Sequence, residues 1–149
     1  MKIKNQMKLS FMSMPENLPL ARVAAASFAA QLDFTLDDLE EIKVAVSEAV
    51  SNCMIHGYEN DLNRTISITC SVFEDVLEMA VEDEGKGIAD IVQAMQPAFS
   101  TDPERMGLGF TFMQSFMDKI DVQSTVNKGT RVIMSKRPQD AAAAASEEN

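Results

Sequence analysis

The sequence predicts an α+β domain, a two-layer sandwich with helices on one face of a mixed, mostly antiparallel sheet. Three observations lead there. Apolar residues alternate in five short, largely β-branched stretches, the pattern of half-buried strands. Four of these stretches lie in sequence-adjacent pairs joined by turn residues, which reads as two hairpins. The segments between them place apolar residues three and four apart, as on one side of a helix. The 149 residues suit one domain, which should bury ~70% of its unfolded surface.

Met7, Leu9 and Phe11 alternate and mark the first strand. Pro15 and Pro19 punctuate a turn, and the Ala-rich run from Leu20 to Leu32 follows as a helix with small residues along one side. Thr35 can cap a second helix, with Asp38 three residues on to complete the reciprocal bond. Leu39, Ile42, Val46, Ala49, Val50 and Cys53 carry its apolar stripe to about Ile55, and Gly57 is a plausible stop. Thr65–Phe73 and Val76–Val81 form a hairpin about Glu74-Asp75, and Asp83–Gly87 is a polar loop. Ile88–Met95 suits one or two helical turns, Pro97–Arg105 reads as a mobile loop, and a helix spans roughly Phe110–Met117. Asp121–Val126 and Thr130–Met134 close a last hairpin around Asn127-Lys128-Gly129. Residues 1–137 are thus the domain, and 138–149 an Ala-rich tail with little to bury, expected to be disordered.

With 13 basic and 23 acidic residues the chain carries −10, which argues against a nucleic-acid surface and against docking on anionic membranes. No signal peptide is recognisable and no apolar run approaches the ~20 residues of a span, so a cytoplasmic protein is expected. Cys53 and Cys70 read as reduced, buried thiols, and His56 as the one histidine allows no His-rich metal site. It either edges a site near Asn52 or suits a helix C-terminus. Met113 and Met117, a turn apart among 11 methionines, read as core filling. The acidic run Asp37–Glu41 reads as helix-start electrostatics.

Four features could carry chemistry. Glu48 and Asn52, four apart on one helix face, put a carboxylate beside a carboxamide, an oxygen-rich setting suited to Mg²⁺ and to proton abstraction. Asp83-Glu84-Gly85-Lys86-Gly87 follows a strand. Its glycines admit close backbone approach, and Asp83 can accept from an exocyclic amine. It is no P-loop, because Gly87 stands where Ser or Thr should follow the lysine. Gly107-Leu108-Gly109 is read as opening a helix, where free N–H groups favour phosphate. Gly129-Thr130 sits in the last hairpin. Each alone is matched as well by a solvated helix face, a charged turn or an ordinary junction.

In this order and on these elements, the four resemble the Bergerat-type ATPases: gyrase, MutL, heat-shock chaperone ATPases and histidine kinases. The resemblance runs over about residues 8–137. Ser47-Glu48-Ala49-Val50-Ser51-Asn52, Ile55-His56-Gly57-Tyr58, Asp83-Glu84-Gly85 and Gly107-Leu108-Gly109-Phe110 narrow it to the anti-sigma factor serine kinases. Ala21-Arg22-Val23, Tyr58-Glu59-Asn60 and Phe116-Met117-Asp118 look most like their sporulation branch. The resemblance implies a homodimer that binds a sigma factor of the sigma F type and uses Mg²⁺ and ATP to phosphorylate a serine of an anti-anti-sigma protein. It implies Glu48 as general base, Asn52 as magnesium ligand, Asp83 on adenine and Gly85 and Gly87 in the base pocket. It further implies Gly107 and Gly109 on the phosphates, and Thr130 fixing adenine directly or through water. The stretch Ser100–Met106 is shorter than the family's ATP lid, and Arg105 is assigned to the γ-phosphate. Arg22 is a candidate partner contact, on the argument that an exposed Ala-rich helix face lets another chain approach. The rival readings are a general-stress anti-sigma kinase, a nucleotide-gated binder with little kinase activity and the ATPase module of a histidine kinase.

Overall fold

In the computed structural model of the chain, residues 2–96 and 102–138 are described, with the backbone alone for 102–106. Strand β1 (Asn5–Met12) leads through a 3₁₀ turn at Pro15–Asn17 into helices α1 (Leu18–Ala29) and α2 (Leu36–Asn52). A single π-helical turn (Cys53–Gly57) follows, then β2 (Thr65–Phe73), β3 (Val76–Asp83), α3 (Ile91–Ala94), α4 (Asp102–Phe116), β4 (Lys119–Thr125) and β5 (Gly129–Lys136). The strands form one sheet in the order β1-β2-β3-β5-β4. Every described pairing is antiparallel, so the parallel component that a mixed sheet would hold is absent among the described residues.

The alternation that predicts the strands also builds the core. Leu9, Ile68, Val81, Val132 and Val122 stand opposite one another across all five strands, as do Met7, Cys70, Met79, Met134 and Ile120. These rows form the inner face, against which α2 buries Ile42, Ala45, Val46, Ala49 and Val50. Met113 and Met117 of α4 are buried there too, as expected of core-filling thioethers. Truncating a fully buried side chain such as Ile42 to alanine would cost ~2–5 kcal/mol. One row further along the inner face the apolar pattern stops: Asp83, Thr130 and Ser124 stand opposite one another instead.

The predicted capping box at α2 is present. Thr35 Oγ1 accepts from the Asp38 N–H at 3.0 Å, and Asp38 Oδ2 accepts from the Thr35 N–H at 3.1 Å. Three expectations need correction. The Ala-rich side of α1 is not open to a partner, because Ala21, Ala25, Ala26 and Ala29 are buried, and α1 packs on α2. Small residues there let two helices of the same chain approach closely. Helix α2 ends at Asn52 rather than near Ile55, and the chain widens into the π turn, closed by the Tyr58 N–H on the Cys53 carbonyl at 2.8 Å. Helix α4 begins at Asp102, so Gly107-Leu108-Gly109 lies within it instead of opening it, and the loop expected up to Arg105 is helical from 102 onward. Asp102-Pro103-Glu104 is itself a helix-starting sequence, with proline in the first turn and acids at the positive dipole end. The remainder of that loop, 97–101, and the tail from 139 lie outside the described residues.

Candidate functional site

Asp83 ends β3 on the inner face and is 7% exposed. Its Oδ1 accepts the Gly85 N–H at 2.8 Å. Burial pushes its carboxyl above the ordinary aspartate value, opposed by the Gly85 N–H, the Cys53 thiol, the Thr130 N–H and the Arg64 charge. Burial first, and then the Asp83 charge, raise the Cys53 thiol well above its usual value, so it remains a thiol that donates to the carboxylate.

Backbone crowds this carboxylate from below. A β-carbon at Gly57 would stand 2.9 Å from all three carboxyl atoms of Asp83. One at Gly85 would collide with the Gly57 carbonyl, and one at Gly129, whose φ is +121°, with the Asp83 carbonyl. The loop after Asp83 is held on both sides: the Lys86 N–H donates to the Gly57 carbonyl at 3.0 Å and the Asn127 N–H to the Lys86 carbonyl at 2.7 Å. Ser124 Oγ accepts the Ile88 N–H at 2.7 Å and lies 2.8 Å from Thr130 Oγ1. Above these groups opens a pocket walled by Val81, Val132, Phe110 and Ile88, with Asn52, Cys53, His56, Asp83, Gly87 and Thr130 on its rim and floor. A flat, mostly apolar slot with a few acceptors at one end is suited to a heteroaromatic base.

A second opening adjoins it, lined by Glu48, Ser51, Asn52, Ile55, His56, Leu108, Gly109 and Phe112. Asn52 and His56 belong to both. A β-carbon at Gly109 would come 3.0 Å from Glu48 Oε2 and 3.5 Å from Asn52 Oδ1, so α4 presses directly on the α2 pair at this point. Gly107 lies against the Gln96 carbonyl, where a β-carbon would collide. Asn52 Nδ2 is buried without a hydrogen-bond partner among the described residues, which is costly unless a ligand completes it. The described residues hold no group of three or more His, Cys, Asp or Glu able to bind a metal ion. A magnesium ion here would draw its ligands from Asn52, phosphates and water, which suits an ion that keeps much of its own shell.

The sequence-derived set therefore divides. Glu48, Asn52 and Gly109 meet at one end, and Asp83, Gly85, Gly87 and Thr130 at the other. Gly107 stands apart from both, packed on Gln96, and the Arg105 side chain lies outside the description. Arg22 is half-buried on α1, with Nη1 donating to Ser47 Oγ at 3.3 Å. Cys53, Val81, Ile88, Phe110 and Val132 were not anticipated as pocket walls. Val81 and Val132 share the inward alternation of Asp83 and Thr130, a signal that would have found them. His56 proves a site-edge residue, 9% exposed in the π turn. The π turn itself has no sequence signal, although such turns cluster at functional sites.

Comparison with known proteins agrees with this geometry. The family described as Histidine kinase-like ATPase domain matches residues 11–136. The anti-sigma F factor of Geobacillus kaustophilus is 52% identical over 136 residues, covering 90% of this chain and 93% of its own. That of Thermoanaerobacter sp. is 51% identical over 138 residues, covering 91% and 96%. Among solved structures, the RsbU and RsbW domains of a Mycobacterium tuberculosis protein superpose with a TM-score of 0.63 at 15% identity, over 90% of this chain and 32% of that one. The catalytic domain of the histidine kinase ThkA gives 0.56 at 19% identity, over 88% and 95%. These two share the fold. Helices on one face of a five-stranded antiparallel sheet, with the pocket at the polar end of its inner rows, are the histidine kinase-like (Bergerat) ATPase architecture, and this chain belongs to that family, among the anti-sigma F factors.

Proposed function

We propose that this chain binds and inhibits a sporulation sigma factor of the sigma F type, and that it uses ATP with Mg²⁺ to phosphorylate a serine of an anti-anti-sigma protein. The observation that carries the reading is the joining of two unlike ends in one site: acceptors and glycines about Asp83, and a carboxylate–carboxamide pair at Glu48 and Asn52. The names of the relatives support the sigma-binding half.

Asp83 accepts the exocyclic amine of adenine, with Thr130 beside it and Gly85 and Gly87 keeping the floor low. The phosphates run toward Asn52 past Gly109, whose missing side chain leaves the approach open, and Gly107 and Arg105 complete that end. Mg²⁺, held on the protein by Asn52, would neutralise phosphate charge. Glu48 takes the proton of the substrate serine as its oxygen bonds to the γ-phosphorus, and the bond from that phosphorus to the bridging oxygen breaks to release ADP. Such transfers ask chiefly for alignment and charge neutralisation, and the carboxylate supplies the proton acceptor. The active species is a homodimer, and Arg22 contributes to partner binding from α1.

Incubation of the protein with radiolabelled ATP and the anti-anti-sigma protein, followed by pull-down of sigma factors, tests both halves. Label on a serine of the antagonist and retention of the sigma F type factor are expected. Sigma retention without label would leave a nucleotide-gated binder, and label without retention would remove the inhibitory half.

A further inference from the structure

Tyr58, the sole tyrosine of the chain, is 5% exposed, and its hydroxyl is fully used. It donates to the Thr65 carbonyl at 2.6 Å and accepts the Glu84 N–H at 2.7 Å. Burial raises its pKa, so the hydroxyl keeps the proton it donates. Arg64, exposed at the entry to β2, lays its guanidinium 4.6 Å from the centre of the Tyr58 ring and donates from Nη2 to the Glu84 carbonyl at 2.9 Å. The two residues thus grip Glu84 by both its backbone groups.

These are the two peptide units that follow Asp83. The Glu84 N–H belongs to the Asp83–Glu84 unit, so Tyr58 fixes the backbone rotation that aims the Asp83 side chain. The Glu84 carbonyl and the Gly85 N–H are opposite ends of the next unit, and that N–H is the one bonded to Asp83 Oδ1 at 2.8 Å. A cation on the carbonyl end polarises the unit and strengthens donation from its N–H end. We propose that Tyr58 and Arg64 are positioning residues, a clamp that acts through the backbone of Glu84 to hold the Asp83 carboxylate at the angle that selects a 6-aminopurine. The clamp touches no nucleotide atom, and its role rests on the reading of Asp83 as the acceptor for the base.

The test is calorimetric binding of ATP and of purine riboside triphosphate, which lacks the 6-amino group, to the full chain and to Tyr58→Phe and Arg64→Gln. The intact protein should prefer ATP by about tenfold, the worth of one hydrogen bond to a charged acceptor. Tyr58→Phe keeps the ring under Arg64 and removes both hydroxyl bonds. It should lose most of that preference by weakening ATP while leaving the analogue's affinity in place. Arg64→Gln should shift the ratio in the same direction by less. A purely structural role would weaken both nucleotides together, and that result, or an unchanged ratio in a folded variant, overturns the clamp. If Tyr58→Phe fails to fold by circular dichroism, the ratio for Arg64→Gln, altered at an exposed side chain, decides alone. An intact protein with no preference for ATP overturns the base reading and the clamp with it, whereas a preference that survives both substitutions overturns the clamp only.

Discussion

The two ends of the site are built in opposite ways. Around Asp83 the loop is held by Tyr58, Arg64, the Gly57 carbonyl, Asn127 and Ser124, and the carboxylate itself is bonded to Gly85. Around Asn52 a buried amide nitrogen has no partner among the described residues, and an open groove runs between α2 and α4. One end is finished before a ligand arrives, and the other is finished by it. A base is small, rigid and always the same, so a preformed slot recognises it with little loss of freedom on binding. Phosphates and their cation change charge and number through a transfer cycle, and donors left without internal partners can follow them.

Substitutions that fill the finished end should be the most damaging. Gly85→Ala drives a methyl group into the Gly57 carbonyl and should weaken ATP binding by about 3 kcal/mol, on the order of a hundredfold, by calorimetry. An unchanged affinity would show that this end yields, and would erase the contrast. Glu48→Gln should leave ATP binding in place and reduce phosphate transfer by roughly 10²–10⁴-fold in a radiolabel assay, and full transfer would remove Glu48 as the base. Asn52→Ala should weaken ATP by about tenfold when Mg²⁺ is present and by much less in its absence, the signature of an end completed by its ligand. Equal losses under both conditions would assign Asn52 to the phosphates alone.

Asp83 sharpens the contrast from the stability side. A carboxyl whose folded pKa lies above its unfolded value binds a proton more readily in the fold. Its ionisation therefore detracts from stability in full above the raised value, and this loss fades as pH falls through the ordinary carboxylate range. Asp83→Asn should raise the melting temperature of nucleotide-free protein by roughly 2–4 °C near neutral pH while ending discrimination for adenine. The gain should shrink on acidification, and a variant that melts lower at neutral pH would contradict the burial cause. The smallest effect belongs to Arg22, far from neither helix but outside both ends. Its single bond to Ser47 is long, so Arg22→Ala should change stability by no more than about 0.5 kcal/mol and leave ATP affinity alone. Sigma or antagonist binding measured by surface plasmon resonance should nonetheless weaken, and unchanged partner affinity would remove it as a contact.

What could be read in the sequence was what depends on near neighbours. The capping box of Thr35 and Asp38 is a three-residue relation, and the rows led by Leu9 and Met7 repeat an alternation visible in each strand. The polar pair Glu48 and Asn52 needed only helical spacing. The start of α4 was missed because Gly107 and Gly109 read as a boundary, each costing ~1 kcal/mol in a helix interior. Tertiary packing decides otherwise, since one glycine lies against Gln96 and the other against Glu48 and Asn52, where side chains would not fit. The facing of Asp83 and Thr130 is a matter of strand register, and the Tyr58–Arg64–Glu84 clamp joins three loops. Neither has a local pattern to betray it.

The π turn at Cys53–Gly57 can also be regarded as one residue more than an α-helix would need. Removing a single residue from it would let the helix run on regularly and turn everything beyond by about 100°. The Gly57 carbonyl, which accepts from Lys86 and supports Gly85, would then face away from the loop it seats. A one-residue deletion here should therefore be far less tolerated than substitutions at the same positions, so the length of this segment is under stricter constraint than its chemistry.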